Sequence, residues 1–142
     1  MVYTIVLFVS RKPGFSIAQF KEHWEGKHIP LLKSIAGPSF PLSHTRNYVA
    51  RVGGGAGTRA GVSPGVDATS TSPVVLVGNV EAVDWDGYAE LKFRDELHFQ
   101  QFFALVNEPE AAAKIQEDEE RFSDSEKFKV VVLGETISTG QD

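Results

Sequence analysis

The sequence has no cysteine. That excludes disulfide staples, thiolate nucleophiles and cysteine-ligated metals, and it suits a reducing compartment. Positive charge is also short: 14 Lys and Arg stand against 19 Asp and Glu, for a net charge of −5. A chain of this balance has no broad basic surface for phosphate, which argues against nucleic acid as a partner. Long apolar runs are missing as well. The N-terminal MVYTIVLFVS is too short to cross a bilayer, and no basic segment precedes it. It reads as a strand, not as a signal peptide, and the expectation is a cytoplasmic protein with no membrane partner. What remains is a chain of 142 residues, 42% hydrophobic and 23% charged, which suits one globular domain with a core of its own.

The apolar pattern then sets the elements. VYTIVLFVS, rich in β-branched and aromatic residues, predicts a buried first strand. Ser16 followed by Gln19 forms a capping-box pattern, so a helix should begin near Ile17 and bury Ile17, Phe20 and Trp24 on one face. Gly26 is expected to stop it, and Pro30 to open a second short helix that ends near Gly37. A second strand is expected from about His44 to Val52. The Gly-, Ser- and Thr-rich stretch at about 53–73 reads as a flexible loop or lid within the single domain, not as a boundary. VVLVGNV suggests an extended edge, DGYAELKF a strand, DELHFQQFFALV and EPEAAAKIQEDEERF two helices, and KFKVVVLGETI a final strand. The resulting β-α-β-loop-β-α-β order predicts an α+β fold of the ferredoxin-like, split-βαβ kind, with an antiparallel sheet and helices over one face. The other face of such a sheet needs cover, so a homodimer is expected.

The stretch KEHWEGKHIPLL raises the question of chemistry. His23 and His28 are five apart with Gly26 between them, which lacks the spacing of a zinc-binding helix, and no third ligand is near; no metal is expected. Trp24 falls on the buried stripe, as a pocket wall or a core residue. His23 is one position off it and reads as packing or surface. His28, just past the expected helix stop, can either set a turn or point inward as an acid–base group, since an imidazole titrates near neutrality. His44, Arg46 and Tyr48 share one face of a strand. If that face is inward, Arg46 can hold a carboxylate, while His44 or Tyr48 can bond a ketone or phenol; if outward, they are surface residues. Asp86 precedes a strand that Tyr88 opens, and Asp-Gly is also an ordinary turn. His98 and Phe102 lie on an aromatic helix that suits either a core or a wall for a flat ligand. The run EDEERFSD reads as a solvated helix face. RVGGGAGTRAG lacks the GK[ST] of a phosphate loop.

FKEHWEGKHIPLL, DGYAELKF and DEERFSD together resemble the EthD-type branch of the dimeric α+β barrel superfamily, and the likeness spans most of the chain. Within that branch the sequence resembles small fungal polyketide proteins of the kind that decarboxylate atrochrysone carboxylic acid. The resemblance implies catalysis without cofactor or metal, on a small aromatic or pre-aromatic polyketide acid. It implies a pocket between sheet and helices, with the histidine of the KHIPL motif, His28, as the recurrent functional position and Asp86 near the pocket. The expected activity is that of a carboxy-lyase. His28, His44 and Tyr48 are the candidate catalytic residues, and Trp24, Arg46, Asp86, Tyr88, His98 and Phe102 are the candidate substrate contacts. Cyclisation with dehydration, oxygenation of an anthrone, and simple ligand carriage suit the same residues.

Overall fold

A computed structural model describes residues 2–54 and 71–141. Its order is β1 (Tyr3–Val9), α1 (Ile17–His23), a π-helical turn (Trp24–His28), α2 (Ile29–Ala36), β2 (Ser43–Tyr48), β3 (Gly87–Phe93), α3 (Glu96–Val106), α4 (Pro109–Phe122) and β4 (Lys129–Leu133). The strands form one sheet in the order β2-β3-β1-β4, with each neighbouring pair antiparallel. This is the split-βαβ arrangement expected from the sequence.

The strand register divides the side chains cleanly. Ile5 pairs with Leu91 and Leu7 with Ala89. These residues, with Val9 and Phe93, face the helices, where Phe20, Trp24, Phe102 and Phe122 complete the core. The ends of α1 follow local chemistry. The Ser16 hydroxyl accepts from Gln19 N–H at 3.0 Å, and the Gln19 side chain accepts from Ser16 N–H at 2.8 Å. That reciprocal cap fixes the helix start. Pro30 sits in the first turn of α2, and Gly37 ends it with φ of 52°, in the left-handed region that glycine tolerates best.

Three expectations are corrected. Gly26 does not stop the helix: Trp24–His28 continues from α1 into α2 as a π turn, in which Ile29 N–H donates to Trp24 C=O. Gly26 there keeps a negative φ, and a Cβ on it meets nothing within 4 Å, so neither backbone nor space demands glycine. The second strand ends at Tyr48 rather than Val52, because Val49 N–H turns to Asp86 C=O and Val52–Gly54 forms a 3-10 turn. VVLVGNV is no strand; it contributes one bond from Val74 N–H to Ala50 C=O, then turns at Gly78 (φ 112°) into the 3-10 turn Val80–Ala82. Most of the expected 53–73 loop lies outside the described residues.

Among the glycines of the described residues, packing requires one at Gly87. An added Cβ would lie 2.3 Å from Trp24 Cζ3. The first residue of β3 must therefore be flat for the indole to lie against the sheet.

Candidate functional site

Between the helix-facing side of the sheet and α3 and α4 lies a cavity of about 280 Å³. Its wall is mainly apolar, drawn from residues such as Leu7, Trp24, Phe102 and Phe128, and it also holds His28, His44 and Glu119. Among the described residues of that lining, none is Lys or Arg.

His28 is placed by the π turn. An α-helix advances about 100° per residue, so positions five apart diverge by about 140°. A turn closed by i→i+5 bonds instead brings residue i+5 back over residue i. His23 and His28 consequently reach one carboxylate from the same side. His28 Nδ1–H donates to Asp118 Oδ2 at 2.8 Å, and His23 Nε2–H donates to Asp118 Oδ1 at 3.0 Å. Phe122 packs on both imidazoles, with ring centroids 4.8 Å from His23 and 5.1 Å from His28. Burial alone would raise the Asp118 carboxyl, but the bonds from His28 and His23 outweigh it and hold the group below its ordinary range. Burial also holds the His28 imidazole below its usual pKa, against the opposing pull of Asp118. The result is a neutral imidazole whose proton is committed at Nδ1, leaving the Nε2 lone pair as a base.

His44 is fixed in the opposite tautomer. The Arg46 guanidinium donates to His44 Nδ1 at 3.0 Å and to the His44 carbonyl at 2.9 Å. A guanidinium only donates, so Nδ1 is the acceptor and the ring proton sits on Nε2. That Nε2 is buried and has no hydrogen-bond partner. Burial, then the Arg46 charge and the neighbouring His28, lower the His44 pKa to about 4. The cavity thus receives one imidazole prepared to accept a proton and one prepared to donate a hydrogen bond.

The face of β2 is settled by register. Arg46 pairs with Ala89 and His44 with Leu91, both core residues, so His44, Arg46 and Tyr48 point toward the helices. Only His44 of the three lines the cavity. Arg46 Nε donates to Glu25 Oε2 at 2.6 Å, and Tyr48 O–H donates to the same oxygen at 2.5 Å. Arg46 lowers the Glu25 carboxyl, while burial and the Glu25 charge raise the Tyr48 phenol. Arg46 is therefore occupied by the Glu25 carboxylate and by His44, which it orients, and Tyr48 is committed to Glu25.

The remaining candidates divide. Trp24 and Phe102 line the cavity. Asp86 does not: its Oδ2 accepts from Arg11 N–H at 2.7 Å and its Oδ1 from Arg51 at 2.5 Å, which ties together the chain after β1, β2 and the start of β3. Tyr88 lies on the other face of the sheet, edge-on to Phe8 with centroids 5.4 Å apart. His98 closes the start of α3. Its Nδ1 accepts from Arg94 N–H at 3.0 Å, and its Nε2–H donates to the Ser39 and Phe40 carbonyls at 3.1 Å each. With both nitrogens used and 1% exposure, it staples the fold.

Two acidic residues fell outside the sequence reading. EDEERFSD is not wholly a solvated face: Asp118 is 7% exposed, and Glu119 lines the cavity. The signal was periodicity. Ile115, Asp118, Glu119 and Phe122 stand at i, i+3, i+4 and i+7, which is the buried stripe of a helix. Burial, reinforced by Asp118 and Glu120, raises the Glu119 carboxyl to about 7. Among the described residues no group of three or more His, Asp or Glu converges as a metal site. No helix of the described chain is long and apolar enough to cross a membrane.

Fold and site together define an α+β protein with a histidine–carboxylate centre opening on an apolar cavity. Residues 12–126 match the EthD domain, and the chain belongs to the EthD family. No curated protein matches it. Solved structures carry the same fold. An ethyl tert-butyl ether D (EthD) family protein from Bacillus halodurans superposes with a TM-score of 0.53 at 15% identity, covering 96% of this chain and 100% of that one. An EthD-like protein from Ralstonia eutropha gives 0.51 at 12% identity, covering 93% and 87%.

Proposed function

We propose that the protein is a cofactor-independent carboxy-lyase acting on a small aromatic or pre-aromatic keto acid of polyketide type, as the sequence resemblance to the fungal decarboxylases implies. The observation that carries this reading is the pair of complementary imidazoles: a base nitrogen on His28 backed by Asp118, and an unpartnered N–H on His44, both facing an apolar cavity. The β-keto acid enters as the uncharged acid. His28 Nε2 takes its carboxyl proton, and the imidazolium is stabilised by Asp118. The bond from the α-carbon to the carboxylate breaks, CO2 leaves, and the electron pair forms an enolate. Its oxygen accepts from His44 Nε2–H as charge develops there. The imidazolium then returns the proton to carbon, which restores His28 and balances the reaction. Trp24 and Phe102 wall the ring system and keep water from the enolate.

Purified protein, treated with chelator and mixed with a β-keto aromatic acid, should release one CO2 per product formed. Dehydrated or oxygenated product without CO2 would replace the reaction while keeping the site. Ligand binding without any turnover would leave a carrier. For the assembly we propose a homodimer through the sheet face that carries Phe8 and Tyr88, and light scattering at twice the chain mass is the expected result.

A further inference from the structure

The carboxy-lyase reading leaves Glu119 unused. Glu119 lines the same cavity as Ile115, Phe122, Phe128 and Val130, and its carboxyl has no hydrogen bond or ion pair among the described residues. Its neighbour Asp118 turns to the histidines. One residue further on, rotated by about 100° around α4, Glu119 opens onto the cavity from a second direction. A carboxyl in such a wall needs a partner, and the uncharged polar residues that share the lining, Asn107, Gln116 and Ser123, donate instead to Phe103 C=O, to Glu120 and to the Glu119 backbone carbonyl.

We propose that Glu119 selects the ligand: its carboxyl donates a hydrogen bond to a carbonyl or phenolic oxygen of an uncharged, flat aromatic compound, so that the cavity discriminates against anions. This deepens the reading above and rests on the same cavity. The size is suitable, since about 280 Å³ lies at the small end of ligand sites and holds about two or three fused rings. The charges around Glu119 agree. Asp118 and Glu120 flank it on its own helix and favour the protonated acid. From the elements packed against it, the titratable groups facing the cavity are His28 of the π turn and His44 of β2, both held below the usual imidazole range. No Lys or Arg among the described lining residues offsets an anion there.

Three naphthalenes test this by quenching of tryptophan fluorescence. 2-Acetylnaphthalene carries an acceptor and no titratable group, 2-ethylnaphthalene has similar shape and no oxygen, and 2-naphthoate is an anion. The ketone should lose at least about tenfold in affinity between about pH 6 and pH 9, since each unit above the carboxyl's titration is worth up to about tenfold. The ethyl compound should show a flat profile, and naphthoate should bind at least about tenfold more weakly than the ketone near pH 7.5. Glu119→Gln, whose amide donates at every pH, should flatten the ketone profile at its acid-side affinity. If Glu119→Gln does not fold, calorimetry of the unaltered protein near pH 8 in two buffers of different ionisation enthalpy decides, and uptake of about one proton per ketone bound is expected. A flat ketone profile, a slope that survives Glu119→Gln, no proton uptake, naphthoate binding as tightly as the ketone, or no binding of either neutral compound overturns the proposal. Binding with the expected profile but no CO2 from any keto acid overturns the lyase reading alone. CO2 release with flat binding overturns this one alone.

Discussion

The corner around Asp86 and the cavity around His28 both gather charged and polar side chains, and they are completed in different ways. At Asp86 each carboxylate oxygen meets a donor, from Arg11 N–H and from Arg51. In the cavity, Asp118 is similarly satisfied by His23 and His28, yet His28 Nε2, His44 Nε2 and the Glu119 carboxyl are left for something else. The Asp86 carboxylate is saturated and ties distant segments of chain together, although Arg51 Nε beside it has no partner among the described residues. In the cavity the open groups are two neutral imidazoles and a carboxyl set against apolar walls, which suits an uncharged ligand. Residue type alone does not separate the two, because Asp86 and Asp118 are the same residue with the same complement of two partners. What separates them is the surroundings: Arg11, Arg51 and Asp86 border an open, polar cleft, whereas the partners of Asp118 lead to a cavity with a mainly apolar wall.

Substitutions should separate the two corners. His28→Ala should give the largest effect: a loss of about 10²–10⁴ in kcat/KM, with neutral-ligand affinity within about threefold and an unchanged fold by circular dichroism. If turnover survives, His28 is not the proton carrier. Asp86→Ala should do the reverse. It leaves a part-buried amide and Arg51 without their acceptor, for about 1–3 kcal/mol of stability, read as a lower denaturant midpoint, while kcat below the melting range stays at its original value. Loss of kcat in a folded Asp86→Ala protein would bring Asp86 back into the site.

Titration sharpens the same contrast through stability. Glu119 has its folded pKa raised to about 7. Its contribution is fully present below the ordinary carboxyl value of about 4.3 and is lost as pH rises through about 7. His44 has its folded pKa lowered to about 4. Its contribution is present above the ordinary imidazole value of about 6.5 and is lost as pH falls toward about 4. Melting temperatures measured across this range should therefore change slope in Glu119→Gln on the neutral side only; an unchanged neutral-side slope would mean that Glu119 is ordinarily ionised. The smallest effect belongs to Gly26→Ala. The site is exposed, a Cβ fits, and the glycine costs roughly 0.5–1 kcal/mol in a helix, so a rise of that order is expected in chemical denaturation, without loss of turnover. A fall would show that the π turn needs glycine after all.

Much of the architecture was legible because local signals agreed. The alternation of β1, the Ser16–Gln19 cap and the aromatic spacing of α3 each point one way. Three cavity residues, Trp24, His28 and Phe102, were also accessible from periodicity and motif. The misses have physical causes. The π turn has no residue signature, so Gly26 carried the wrong inference. Inward placement of His44 depended on pairing with β3, a contact far away in the chain. Arg46, Tyr48 and His98 have the right chemistry for a ligand, but their donors are used up by Glu25, His44 and backbone carbonyls that no single-sequence pattern identifies. Asp118 and Glu119 were hidden inside a charge run whose average is polar although its stripe is not.

The π turn has one more consequence, which concerns chain length rather than residue identity. His23 and His28 are brought together by an extra residue in one coil. Deleting Gly26, an exposed residue whose added Cβ would meet nothing within 4 Å, would return the coil to α-helical pitch and leave the two histidines four apart, about 40° from each other on one face, still placed to share the Asp118 carboxylate. A change of one residue in length is therefore absorbed by widening or tightening a single coil, and the two histidines keep a common face on either side of it.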